Sequence, residues 1–202
     1  MLDNIKKYLE DSIEEDGSYG EGPQYLLYPV QELLPAASTM SEEQKTYAFS
    51  KSPLGKSGEY LPYSSFFFNV EGKPARIQFR DGQQFVGQGA SGLFVIGLLT
   101  KSSLVYDFAG RFDLVPPYQR PDYAILYNAS AAQSSKTSIE SLPTFKFFNN
   151  GEIYIRSDWS GKGILFAMLS GSKNKTGFSH DRPARNGIAL GAYGEYLLAL
   201  PG

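Results

Sequence analysis

The hydrophobic pattern changes its period near Val115. Before that point apolar residues recur at steps of three and four; after it they alternate with other residues. A helical period followed by a strand period restricts this chain of 202 residues to an α+β arrangement, or to two packed domains. Leu2, Ile5, Leu9 and Ile13 predict a first helix over 1–14, stopped by Asp16-Gly17-Ser18. Pro23 suits the first turn of a second helix running through Leu34, which Pro29 should bend or interrupt. Shorter helices are predicted over 41–50 and 53–68, the second ending in Phe66-Phe67-Phe68. A polar loop over 71–88 precedes two further helices, over 90–100 and 101–111.

Residues 115–141 read as a long connection holding one short strand, Tyr123–Tyr127. Beyond it, Phe145 and Phe147, then Ile153 and Ile155, flank Asn150-Gly151, a strong hairpin signal. Ile164–Leu169 reads as a strand. Ile188–Ala192 and Tyr196–Leu200 read as a pair joined across Tyr193-Gly194-Glu195. Consecutive hairpins imply an antiparallel sheet.

Composition removes whole classes of function. Nineteen basic against 21 acidic residues give a net charge of −2, so nothing draws the chain generally toward nucleic acid or anionic membranes. No apolar run reaches the roughly 18 residues that span a bilayer. Cysteine is absent, which excludes disulfides and thiolate metal sites. The single histidine, His180, excludes a zinc site built on two or more histidines of this chain. Fourteen Tyr, 14 Phe and one Trp suit either glycan binding, where flat rings stack on sugar faces, or an ordinary core. No apolar stretch follows Lys6-Lys7, so the N-terminal residues do not read as a signal peptide. The chain is then cytoplasmic, or a piece whose export signal lies upstream.

Two constellations can carry chemistry. In the first, Asp16 to Gly22 form a flexible turn into a helix whose first turns present Tyr25 and Tyr28. At a spacing of i, i+3 both phenols face one side. A tyrosine in a cleft serves as acid or base when cations lower its pKa; equally, two such rings pack on a helix. The second is the segment 177–187, with His180, Arg182, Arg185 and Asn186 immediately before a strand. Its arginines suit an anionic ligand; equally, it is a solvated loop.

Together these segments resemble the heparinase II/III-like polysaccharide lyases, a family that includes the oligoalginate lyases. Asp16-Gly17, Glu21-Gly22 and Tyr25 resemble the family's "DG-x-x-x-EG-x-x-Y" helix. Glu152 to Trp159 look like its hairpin leading into "R-S-x-W", through Arg156, Ser157 and Trp159. His180 to Glu195 are similar to its "H-x-H-x-D-x-N-S-F-x-L-x-A-Y-G-E" segment, with Asn186, Tyr193, Gly194 and Glu195 in place. The likeness covers most of the chain and is weakest over 40–140.

The resemblance implies an α/α toroid, of which residues 1–114 would be the C-terminal part, followed by the start of an antiparallel β-sandwich over 115–202. It implies a fragment of a longer protein, periplasmic or secreted at full length, whose helical half exposes an apolar face. It implies β-elimination on an acidic polysaccharide or oligosaccharide. Tyr25 would be the catalytic acid, and often the base as well. His180 would stand opposite, within one cleft, with Tyr28, Arg156, Arg182 and Asn186 binding substrate. The family's second histidine falls on Arg182 and its aspartate on Ala184. No metal or other cofactor is therefore expected, and Arg182 is free to hold a carboxylate or sulfate. Two other classes remain: an inverting glycosidase using Asp16 and Glu21, and a non-catalytic glycan-binding module.

Overall fold

The computed structural model describes residues 2–70, 73–77, 79, 90–111, 137–170 and 186–198. Helix α1 spans Leu2–Ser12, α2 Pro23–Gln31 and α3 Leu33–Ser38. Pro23 opens α2, as its missing N–H allows. Pro29 lies inside α2, and the break falls just beyond it, at Glu32. A capping box on Ser41 and Gln44 starts α4, Glu42–Lys45, which continues into a π-helical turn over Thr46–Ser50. A 3₁₀ turn over Pro53–Lys56 then leads into α5, Ser57–Tyr63.

The predicted helix over 53–68 is corrected here. It ends at Tyr63, and Ser65–Val70 form strand β1, paired antiparallel with β2, Lys73–Arg76. The polar loop predicted over 71–88 therefore contains a strand. An unbroken apolar run such as Phe66-Phe67-Phe68 carries no period and fits either structure.

Helix α6, Ala90–Thr100, is the centre of the helical part, with Leu93, Phe94, Val95, Ile96 and Leu99 all buried. It lies against α2 closely enough that a Cβ on Gly92 would stand 2.0 Å from the Leu27 carbonyl oxygen, so only glycine fits there. Helix α7 spans Ser103–Arg111.

Five strands then form an antiparallel meander in sequence order: β3 Phe145–Phe147, β4 Glu152–Arg156, β5 Leu165–Leu169, β6 Ile188–Ala192 and β7 Glu195–Leu198. Asn150-Gly151 lie in the β3–β4 turn, as the hairpin signal predicts. The predicted strand at 123–127 lies outside the described residues.

The inner face of the sheet carries Tyr154, Leu165, Ala167 and Leu169 against the helices. Helices and sheet share one hydrophobic core, joined at Tyr60, Tyr63, Phe148, Tyr154 and Trp159. The architecture is α+β. Among the described residues, exposed large apolar side chains include Phe145, Phe147, Ile155, Ile188 and Leu198 on the outer face of the sheet, and Tyr8, Tyr28 and Tyr47 on the helical side. Among the described residues no helix is long and apolar enough to cross a membrane.

Candidate functional site

The site lies where the α1–α2 turn, α2 and α5 meet the β3–β4 hairpin. Asp16 holds the turn. Its Oδ1 accepts from the Ser18 amide (3.1 Å) and hydroxyl (2.7 Å), and its Oδ2 accepts from the Asn149 amide (2.7 Å). Gly17 sits at φ +86°, and a Cβ there would lie 2.4 Å from the Lys56 carbonyl carbon. The Ser57 hydroxyl donates to the Gly17 carbonyl at 2.8 Å.

The next layer is a buried polar network. Asn150 Nδ2 donates to the Tyr19 carbonyl (3.1 Å) and to the Tyr60 hydroxyl (3.2 Å). Tyr60 and Tyr154 both donate their phenolic protons to Glu152 Oε2, at 2.8 and 2.7 Å. Glu152 is only 1% exposed, so these donors replace the water that its carboxylate has lost. Burial, and then the charge on Glu152, push the Tyr154 phenol well above its ordinary pKa and keep it a donor.

Outside this network, α2 presents the two predicted tyrosines. Gln24 is buried and its Nε2 donates to the Tyr28 hydroxyl at 3.0 Å. Tyr25, half-buried, stands edge-on to the exposed ring of Tyr28, with centroids 5.9 Å apart. The spacing rule is met, and both rings share one side of α2. Arg76, at the end of β2, is buried. Burial draws its guanidinium down to about 10, while the Tyr60 and Tyr28 phenols act on it electrostatically in the opposite sense. Tyr196 of β7 donates to the Arg76 carbonyl at 2.7 Å, which fixes the sheet to this strand.

The other expected site residues divide. Arg156 lies in the seam between α5 and the sheet. It is 6% exposed, and its Nη2 donates to the carbonyls of Pro62 (3.0 Å), Tyr63 (2.7 Å) and Ser65 (2.6 Å) at the end of α5. Its guanidinium lies 4.3 Å over the Trp159 ring, and burial lowers it to about 9. Asn186 is exposed in a left-handed turn, φ 64°, just before β6, and its amide donates to the Leu169 carbonyl at 2.7 Å. His180 and Arg182 lie outside the described residues, and with them the expected meeting of Tyr25 and His180. Asp16, weighed above as one of two hydrolytic carboxylates, has both oxygens engaged by the turn and the hairpin.

Sequence reasoning missed Asn150, Tyr60, Glu152, Tyr154 and Arg76. The available signal was Glu152, Tyr154 and Arg156 at alternate positions of one strand, which places a carboxylate, a phenol and a guanidinium on one face. Among the described residues no cluster of three or more histidines, aspartates or glutamates is placed to hold a metal ion. No protein-family model matches the chain, and no curated protein matches it significantly.

Proposed function

We propose that this chain belongs to a polysaccharide lyase that cleaves uronic-acid-containing chains by β-elimination. The observation that carries the reading is the pair Tyr25 and Tyr28, edge-on to one another on the first turns of α2. It stands beside the resemblance of residues 16–25, 152–159 and 180–195 to the heparinase II/III-like lyases. That likeness also supplies the finer architecture of the proposal, a partial α/α toroid followed by a partial β-sandwich.

In the reaction a base removes the proton at C5 of the uronate. Its electron pair forms the C4=C5 double bond, the C4–O bond breaks, and the glycosidic oxygen leaves with a proton from an acid. The obstacle is the weak acidity of C5–H, which falls when the neighbouring carboxylate is neutralised. Tyr25 takes the C5 proton as base and delivers it to the leaving oxygen as acid. Tyr28, exposed beside it, contacts the sugar. His180 serves as the second base or charge stabiliser, and Arg182 as the carboxylate clamp. Arg156 acts one step back, fixing the end of α5 against the sheet.

The engagement of Asp16 by Ser18 and Asn149 counts against the hydrolytic alternative, because an inverting glycosidase needs both carboxylates free to face the sugar. Product analysis on a panel of polyuronates tests the reading. A lyase yields an ultraviolet-absorbing unsaturated uronate. New reducing ends without that absorbance mean hydrolysis, and saturable binding without cleavage means a glycan-binding module; either outcome refutes the proposal.

A further inference from the structure

The outer face of the five-stranded sheet has a composition that water-facing sheets do not. The register aligns Phe145, Ile155, Phe166, Leu190 and Leu198 in one row across all five strands. A second row, Phe147, Ile153, Met168 and Ile188, crosses four of them. Neither row contains a charged or hydrogen-bonding side chain. Phe145 is 57% exposed, Phe147 50%, and Ile155 and Leu198 45% each. Among the described residues, exposed polar side chains stand at the margin, with Asn186 preceding β6 and Glu195 opening β7.

We infer that this face is the interface of a homodimer, in which two copies pack sheet on sheet about a two-fold axis. The rows leave on the order of 600 Å² of apolar surface open on each copy, at the top of the range for the largest patch on a typical monomer. Two such faces together bury roughly 1,200 Å², which passes the ~1,000 Å² that a specific interface needs. An uncharged face has no electrostatic preference for a basic or acidic partner, and it is complementary in kind to itself. A two-fold axis places the same patch on both sides, so each copy brings its own cover. Twisted antiparallel sheets stack in this manner at about −30°, with inner side chains interdigitating. The open phenyl rings of Phe145 and Phe147 are the natural anchors. The inference is separate from the lyase chemistry and is an alternative to the partial β-sandwich of that reading, in which further strands of the same chain would cover this face.

Analytical ultracentrifugation over a range of protein concentrations tests it. The chain should sediment as two copies at high concentration and dissociate on dilution. Ile155→Lys, in the middle of the longer row, should leave one copy per particle at every concentration, with unchanged far-ultraviolet circular dichroism. Phe145→Glu, on the edge strand, should do the same if the first variant folds poorly. Tyr47→Lys, on the helical side, should remain dimeric. Because the chain has no cysteine, Ile155→Cys introduces a single thiol that should alkylate slowly in the dimer and quickly once diluted. A chain that stays monomeric at all concentrations overturns the inference. So does a dimer indifferent to both sheet variants, or a thiol with the same reactivity at every concentration.

Discussion

Arg156 shows how a residue chosen for one role is held by another. A guanidinium facing water is well placed for a substrate carboxylate, but this one lies across the carbonyls that end α5 and stacks on Trp159. Removing it strands those carbonyls in a dry seam, so Arg156→Ala should lower stability by about 2–4 kcal/mol in urea unfolding. Arg156→Lys should recover only part of the loss, because an ammonium can neither stack flat nor span the same acceptors. Trp159 is the chain's single tryptophan, so its fluorescence reports the change directly. Unchanged stability with weakened polyuronate binding would restore the substrate role. The phenols of the seam set the alkaline limit. Burial raises Tyr19 and Tyr63 from about 10 to about 12, and raises Tyr154 well above its ordinary value. Between pH 10 and 12 the native state thus holds protons that the unfolded chain has released. The contribution to stability is complete below pH 10 and is lost as the pH climbs toward 12. A tyrosinate absorbance titration should show a late group of phenols ionising together with loss of circular dichroism. A single ionisation near pH 10 with the fold intact would contradict this.

At the scale of elements, what was legible depended on whether a segment has a period. The helix at 2–12 follows its apolar spacing, those at 90–100 and 103–111 follow their apolar runs, and the hairpin follows Asn150-Gly151. The Phe66-Phe67-Phe68 run has none, and its strand became visible only through its pairing with Lys73–Arg76. In β4 the alternation was legible but its sense was not. The ordinary expectation turns Ile153 and Ile155 inward; here Glu152, Tyr154 and Arg156 face the helices, because α5 supplies a phenol and carbonyls to meet them. Asp16-Gly17-Ser18 was legible as a helix stop, but not as the latch that holds the hairpin. The latch makes a sharp prediction. Gly17→Ala adds a Cβ to a left-handed turn and drives it into the backbone of Lys56 and Ser57. It should cost more than about 2 kcal/mol. Urea unfolding measures the cost, and a loss under ~0.5 kcal/mol, the range of an ordinary surface change, would show that the turn does not hold the two parts together.

For the whole molecule, the switch of period near Val115 was enough to give α+β, and one core spanning helices and sheet bears it out. The proposed function rests on a narrower base, the half-buried Tyr25 beside the exposed Tyr28 on α2 and three stretches that resemble the lyase family. The most direct test is therefore the phenol itself. Tyr25→Phe keeps the ring and its edge contact with Tyr28 and removes the only proton the side chain can transfer. Unsaturated-uronate formation should be followed by ultraviolet absorbance for the parent and for Tyr25→Phe on the same polyuronate. The account predicts a steady rise with the parent and a rate lower by roughly 10²–10⁴ in the variant, with little change in substrate binding. A parent that forms no unsaturated product from any polyuronate, or a Tyr25→Phe protein that forms it at the parent's rate, would contradict it.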